Sequence, residues 1–441
     1  MLKPVRKFFG ALRDSFGLIP GFMVLTGILG AVALVNVDRS GLVPTWLIES
    51  AWLYDGGGTG ARTLLGVVAG STIGVAGTVF SITIAALSLA AGQMGPRLLR
   101  NFTRDRGNQA TLGAFLGTFS YALMVLRSVR TQSEGEFVPH LSMSVGILLA
   151  FICVGTLVYF VGRMAGRINV DTVIELVSGE LHAAIERVGT RAPQAEPPPA
   201  STWHGAEIVT DPRRGYVEHL DADQLADWAD EHKTRLRLLV RPGDYVFPGA
   251  AFALVNPPVD GVGEAIRDAS TLKSERSSVH DLEYAVRQLV EVAVRALSPG
   301  INDPNTAIGA LDRLGAALCN LAPLALPNGV YLRRERCVLL VSAVDYGGLV
   351  DAMFHLVRQN AAGSAAVLIR MLEVLTAVAS GERAPARVAE LERHADLILG
   401  DAQRDVKTPA DLADLRGRHD RFVAVALHGP AVANVDDPFR R

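Results

Sequence analysis

Long apolar runs dominate the first part of the chain and end at about residue 165. A helix needs about 20 predominantly apolar residues to cross a bilayer core of about 30 Å. Four stretches approach or exceed this length without a charge in their central portion, and they cover residues 18–35, 64–91, 111–129 and 141–161. The pattern therefore predicts an α-helical integral membrane protein with four transmembrane helices.

The distribution of lysine and arginine around these spans predicts their orientation. The residues before span one, between spans two and three and after span four include Lys3, Arg6, Lys7, Arg13, Arg97, Arg100, Arg104, Arg106, Arg163 and Arg167. The two remaining loops carry Arg39, Arg62, Arg127 and Arg130. Cytoplasmic loops carry the excess of basic residues. We therefore expect both termini to be cytoplasmic.

The second span has the most informative pattern in the membrane part. At 100° per residue, small and hydroxyl-bearing residues share an arc of roughly 100° along this helix. They are Gly70, Ser71, Gly74, Thr78, Ser81, Ala85, Ser88 and Gly92, and only Val67 and Leu89 intrude among them. Small residues let two helices approach closely, with hydroxyl groups bonding across the contact. Alternatively, copies of this span around an oligomer axis could line a polar path for ions, in which hydroxyls replace hydration water.

On the second interpretation, the residues near the cytoplasmic mouth of the path are polar or charged. The candidate pore-lining residues are Ser71, Gly74, Thr78, Ser81, Ala85, Ser88, Gln93 and Arg97. Four helices are few for a monomeric transporter and no inverted repeat is apparent, so transport would require oligomerisation. The predicted partners are therefore the lipid bilayer, further copies of the chain and inorganic ions.

The region after residue 165 changes character three times. Apolar residues continue at 3/4 spacing to about residue 189, and with the Pro-rich stretch 191–200 they predict a helical stalk and a linker over 166–200. Short strands and Pro-Gly turns then predict a small β-module over 201–260. Its RPGDYV phrase resembles the half-motifs of biotinyl and lipoyl carrier barrels. No lysine stands at the hairpin tip, so carrier function does not transfer.

Residues 261–441 predict a helical domain, which makes the whole cytoplasmic region an α-rich α+β domain. Its most distinctive phrase is ALSPGINDPNTA, in which Asn302 or Asp303 caps a helix and Pro304 occupies the first turn. A capped helix start explains most of the residue types in this phrase. The alternative is that oxygen-bearing side chains near the helix N-terminus hold a cation or an anion. The candidate ligand-binding residues are Ser298, Asn302, Asp303, Asn305 and Thr306.

Composition agrees with a membrane protein, and charge and motifs give no support to nucleic-acid binding or to known enzyme classes. Hydrophobic residues make up 49% of the chain, and the mean hydropathy is +0.26. The net charge of −2 gives no basis for a nucleic-acid partner. We find no P-loop, G-x-S-x-G, H-E-x-x-H or Rossmann fingerprint, and the ten histidines make no metal-spaced pair. We therefore expect no enzymatic activity, no cofactor and no bound metal.

Two phrases taken together carry a family resemblance. FSITIAALSLAAGQMGPRLLRNFTRD, residues 80–105, resembles the end of the second span in a bacterial family of predicted membrane proteins called domain of unknown function 2254. RPGDYV followed by DLEYAVRQLVEVAVRALSPGINDPNTA resembles its cytoplasmic signature. The resemblance implies four helices and a cytoplasmic domain in the bacterial inner (plasma) membrane, and it supplies no activity. This chain has His280 where the family often has Gln, so no role of that position carries over.

Two hypotheses about function follow from the sequence. The first is a homo-oligomeric inner-membrane pore or transport-related protein, such as an ion channel, in which span two lines the axis and the cytoplasmic domain acts as a gate or vestibule. The second is a membrane-tethered scaffold or sensor, in which span two only packs and the cytoplasmic domain binds a ligand or partner. The size of the purified assembly discriminates between them.

Overall fold

The computed structural model describes residues 17–40, 54, 56–94, 106–131, 137–167, 170–276 and 282–430, without the side chains of 89–94 and 164–167. The chain forms two compact units, Met1–Asn169 and Val170–Arg441. The boundary between them lies close to residue 165, where the apolar runs of the sequence end.

Four helices form the described part of the first unit. They are α1 (Leu18–Ser40), α2 (Gly58–Met94), α3 (Arg106–Ser128) and α4 (His140–Arg167). All four are long and apolar enough to cross a membrane, which confirms the four predicted spans. With 37 residues, α2 extends over about 55 Å at 1.5 Å per residue, which is longer than a bilayer core requires.

The first unit is organised around α3, against which α1, α2 and α4 all pack. The closest approach is between α1 and α3. A Cβ atom added to Gly27 would lie 2.5 Å from the carbonyl oxygen of Gly117, and one added to Gly113 would lie 2.5 Å from Sδ of Met23. Gly113 and Gly117 have the G-x-x-x-G spacing that lets two membrane helices approach closely. Within the chain, glycine-mediated packing therefore joins spans one and three.

Asp38, near the end of α1, accepts hydrogen bonds from the first backbone N–H groups of α4. Its carboxylate accepts hydrogen bonds from the backbone N–H groups of Leu141 and Ser142 at 3.0 Å each, and from the Ser142 hydroxyl at 2.6 Å. The first N–H groups of a helix have no partner inside that helix. Tyr121 of α3 donates to the carbonyl oxygen of Ser142 at 2.9 Å. Polar contacts therefore join three spans at this end of the unit.

The second unit contains nine α-helices and eight strands within the described residues. The helices are α5 (Val170–Val188), α6 (Ala222–Glu231), α7 (Val262–Ala269), α8 (Leu282–Ala296), α9 (Pro304–Leu321), α10 (Tyr346–Asn360), α11 (Ala365–Gly381), α12 (Pro385–Asp405) and α13 (Pro409–His428). The strands are β1 (Glu207–Thr210), β2 (Gly215–Leu220), β3 (Arg235–Leu238), β4 (Tyr245–Val246), β5 (Ala251–Asn256), β6 (Ser270–Lys273), β7 (Val330–Arg333) and β8 (Arg336–Leu340).

The strands form two sheets, with the orders β1-β5-β3-β8-β7 and β4-β2-β6. β3 is antiparallel to β5 and parallel to β8. Their core contains Leu236, Phe252, Val255 and Leu339, all buried, and α6 packs against it. Strands β6, β7 and β8 lie beyond residue 260, so the sheets extend past the predicted β-module. Pairing between strands distant in sequence leaves no local pattern that marks such a boundary.

The helices of the second unit pack into a bundle that includes α5. The buried residues Val173, Val177 and Leu181 lie on α5, which packs against α8 and α9 of the same unit. Residues 168 and 169, where a helix continuous with span four would join the stalk, lie outside the described residues. From residue 346 to residue 428 the unit consists of four helices, separated by breaks at residues 361–364, 382–384 and 406–408.

Candidate functional site

The small-residue face of α2 is exposed in the single chain. The predicted pore-lining residues on this face are all exposed, namely Ser71, Gly74, Thr78, Ser81, Ala85 and Ser88. The buried residues of α2, which pack against α3 and α4, include Leu65, Val68, Thr72, Ala76 and Val79. At 100° per residue the two sets lie nearly opposite each other around the helix axis. The side of α2 that packs within the chain is therefore not the side that carries the predicted pore-lining residues.

The glycines of this helix confirm that the small-residue face is open. A Cβ atom added to Gly70, Gly74 or Gly77 would meet nothing within 4 Å among the described residues. This differs from Gly27 of α1, whose added Cβ would collide with the backbone of α3. The glycines of this face are therefore not required for close helix packing inside the described part of the chain. Their face is available to lipid or to another copy.

Two hydroxyl groups on this face donate hydrogen bonds to the backbone of their own helix. Ser71 donates to the carbonyl oxygen of Val68 and Thr78 to that of Gly74, each at 3.2 Å. A hydroxyl has one hydrogen and two acceptor lone pairs. Because the hydrogen is directed into the helix, the oxygen is left to act as an acceptor toward whatever covers the face. An acceptor is the group that a cation requires as a ligand.

The other exposed surfaces of the spans differ from this face. Large exposed apolar side chains occur on α1 and α4, namely Phe22, Leu25, Leu29, Phe151, Val154 and Val158. On α2 the exposed residues Ile73, Phe80 and Ile84 lie to one side of the small-residue face. Large apolar side chains are typical of helix surfaces in contact with lipid tails. The small-residue face is thus bordered by lipid-compatible surface and differs from it except at Val67, an exposed apolar residue that lies within its arc.

The predicted cytoplasmic mouth is only partly within the described residues. Gln93 lies in the last turn of α2, and the structure describes only its backbone. Arg97 lies outside the described residues. Their role at the end of a polar path stays a prediction.

In the second unit, the Asn-Asp-Pro turn forms a helix cap. Asp303 accepts hydrogen bonds from the backbone N–H groups of Asn305 and Thr306 at 3.1 and 3.2 Å, and from the Thr306 hydroxyl at 2.6 Å. These bonds, chiefly the one from the Thr306 hydroxyl, hold the pKa of Asp303 below its usual range. Pro304 occupies the first turn, where its missing N–H costs nothing. The carboxylate is thus already engaged by the start of α9.

The remaining candidates join α8 to α9. The Ser298 hydroxyl donates to the carbonyl oxygen of Arg295 at 2.6 Å. Asn302, whose φ of 51° is left-handed, donates its backbone N–H to the carbonyl oxygen of Ser298 at 2.9 Å. The Asp303 N–H donates to the carbonyl oxygen of Ala296 at 2.8 Å. The structure therefore brings all five candidate residues into one turn, and ligand binding by that turn stays a prediction.

Replacing Asp303 by alanine is expected to lower the free energy of unfolding by about 1 kcal/mol, since it removes the cap of α9. Asp303→Asn should retain most of this stability, because asparagine is an equally good N-cap residue. Thermal unfolding of the purified full chain in detergent measures both. Equal stability of Asp303→Ala and the parent protein would show that the cap contributes nothing.

Three side chains that the sequence analysis did not single out meet between α10 and α12. Asp351 and His355 lie four residues apart on one face of α10, and His394 lies on α12. The Nε2 atoms of His355 and His394 lie 3.0 and 2.8 Å from Oδ1 of Asp351. His394 has no exposed surface. The spacing of Asp351 and His355 is visible in the sequence, but only the packing of two helices adds His394 to them.

Comparison with known proteins agrees with the membrane assignment. Residues 13–377 match the family model described as predicted membrane protein (DUF2254). Uncharacterized proteins of Mycobacterium tuberculosis (strain CDC 1551 / Oshkosh) and Mycobacterium bovis are each 30% identical over 443 residues, covering 96% of this chain and 83% of the relative. No solved structure shows a significant match. The chain therefore belongs to the membrane protein family called domain of unknown function 2254.

Proposed function

We propose that this protein is a homo-oligomeric pore or transport-related protein for inorganic ions, in which the α2 helices of several copies surround a central axis. The exposed small-residue face of α2 carries this proposal. It holds Ser71, Thr78 and Ser81, is not covered by a described helix of the same chain and differs from the lipid-compatible surfaces of α1 and α4.

In the proposed oligomer, the small-residue face of α2 faces the α2 helices of the other copies across the axis. Four helices of this composition cannot enclose a hydrophilic path by themselves, whereas a ring of α2 helices can. Small residues let the helices approach the axis, and the hydroxyl oxygens of Ser71 and Thr78 then replace part of the hydration shell of a cation. Acceptors without fixed negative charge suit weak binding, which conduction requires.

The proposal places the protein in the bacterial inner membrane with both termini in the cytoplasm. The excess of basic residues on one side of the spans supports this orientation. The second unit would then be cytoplasmic and would serve as a gate or vestibule for the pore.

The alternative is a membrane-tethered scaffold or sensor whose cytoplasmic unit binds a ligand or a partner. The convergent cluster of Asp351, His355 and His394 favours a binding role for that unit. On this alternative the small-residue face of α2 only mediates helix contacts, and no ion crosses the membrane through it.

The mass of the detergent-purified protein tests the proposal directly. We expect light scattering or native mass spectrometry to show an assembly larger than a dimer. Gly74→Leu should reduce the size of this assembly, because it adds bulk to a face that is open in the single chain. Val154→Leu, on the exposed apolar surface of α4, is the matched control and should leave the size unchanged. A strict monomer would exclude the pore.

A further inference from the structure

We propose that Asp351, His355 and His394 form a binding site for a divalent transition-metal ion, with Zn²⁺ as the ion that this donor set favours. The proposal goes beyond ion permeation, since the three residues belong to the second unit and not to the spans.

The type of donor selects the class of metal. Two imidazole nitrogens and one carboxylate oxygen match the ligands of Zn²⁺ sites that keep a fourth position for water. Ca²⁺ and Mg²⁺ prefer oxygen ligands alone, so this cluster does not suit them. Three is also the smallest number of protein ligands that such a zinc site uses.

The geometry is close to that of a coordinated ion. One ligand atom from each of the three residues lies within 4.8 Å of the other two. In a tetrahedral Zn²⁺ site, bond lengths near 2.0–2.1 Å place the ligand atoms about 3.4 Å apart. The Nε2 atoms of His355 and His394 lie 3.0 and 2.8 Å from Oδ1 of Asp351. To admit the ion, each imidazole nitrogen would move away from Oδ1 of Asp351 by about 0.4–0.6 Å.

The hydrogen bonding around Asp351 supports an ion at this place. Nitrogens of His355, His394 and Arg393 all converge on the single oxygen Oδ1. One carboxylate oxygen offers only about two lone-pair sites, so three donors crowd it. A metal ion removes two of these donors, because each imidazole then directs a bare lone pair at the ion.

The packing around His394 fixes which of its nitrogens faces Asp351. The ring of His394 is fully buried, and its Nε2 lies 2.8 Å from Oδ1 of Asp351. The ion would therefore bind His394 through Nε2, and its Nδ1 takes no part in coordination.

Arg393 does not prevent metal binding. Its guanidinium contacts Asp351, but it also bonds Glu390 on its own helix, at 2.8 Å through Nη2 and 2.9 Å through Nε. When Asp351 turns to the metal, Arg393 keeps the Glu390 carboxylate as its partner. The ion would then connect α10 to α12, so metal occupancy would stabilise the packing of these two helices.

Titration of the tag-free, chelator-treated full chain in detergent with ZnCl₂ tests the proposal. We expect one tightly bound Zn²⁺ per chain and a higher unfolding temperature with Zn²⁺. His355→Gln should bind Zn²⁺ at least about tenfold more weakly. His355 is partly exposed, so this variant should fold even if His394→Ala does not. His419→Gln is the matched control, because His419 is not part of this cluster and pairs, among the described residues, with Asp396 at 2.8 Å and Asp420 at 4.0 Å.

Cobalt provides a spectroscopic readout of the same site. Co²⁺ bound by the parent protein should show the visible bands of a tetrahedral complex, and His355→Gln should lose them while His419→Gln keeps them. Absence of Zn²⁺ binding by the parent protein would overturn the proposal. So would equal binding by His355→Gln and the parent, or equal loss in His355→Gln and His419→Gln, since both would place the ion elsewhere.

Discussion

Thr78→Leu is expected to reduce ion flux into proteoliposomes to the level of protein-free vesicles. Thr78 lies exposed on the small-residue face, and its hydroxyl donates to the carbonyl oxygen of Gly74, which leaves the oxygen as an outward acceptor. Leucine removes that acceptor and adds apolar bulk at every copy around the axis. A hydrophobic constriction of this kind closes a pore to ions by excluding water.

Phe80→Leu is the matched control for this measurement. Phe80 is also exposed on α2, two residues from Thr78, but it lies on the neighbouring apolar surface. Its replacement should leave both flux and assembly size unchanged. Normal flux through Thr78→Leu would place the ion path elsewhere, and absence of flux through the parent protein would favour the scaffold or sensor.

The spans could be predicted from the sequence because a bilayer imposes a local requirement. Each helix must be apolar over about 20 consecutive residues, and this property can be read without knowing what the helix packs against. The arc of small residues on α2 is equally local, since it depends only on the helical period. The sequence could not show which side of α2 packs against α3, and this side decides whether Thr78 is available to a second copy.

Contacts between distant segments cannot be predicted from local patterns, because they depend on which elements pack together. The role of Asp38 cannot be predicted from its neighbours in sequence, because its partners at the start of α4 lie about a hundred residues away. Strand β8 pairs with β3 across a similar distance, so the sheet continues beyond the predicted module. The cluster around Asp351 depends on His394 from another helix. Each of these features is fixed by tertiary packing and has no periodic pattern.

The Asn-Asp-Pro turn shows the opposite case. Helix capping depends on a few consecutive residues, so a cap of α9 at Asn302 or Asp303 could be predicted from residue types alone, and the structure assigns it to Asp303. The structure adds the Thr306 hydroxyl as a third donor to that carboxylate. Whether the same turn holds a ligand depends on groups outside the turn, which its sequence does not specify.

Gly27→Ala is expected to destabilise the membrane unit by about 1–3 kcal/mol, the usual cost of forcing extra atoms into a packed contact. The added Cβ would lie 2.5 Å from the carbonyl oxygen of Gly117. Because that oxygen belongs to the backbone of α3, a side-chain rotation cannot relieve the contact, and α1 and α3 must move apart. Thermal unfolding of the full chain in detergent should show a lower midpoint.

Gly30→Ala makes the same chemical change one turn further along α1, where an added Cβ meets nothing within 4 Å. Alanine favours a helix over glycine by about 1 kcal/mol, so this variant should match or exceed the stability of the parent. The two substitutions are therefore expected to shift stability in opposite directions. Equal effects of both would mean that glycine at position 27 serves no close approach, and that the spans are held together by the polar contacts of Asp38 instead.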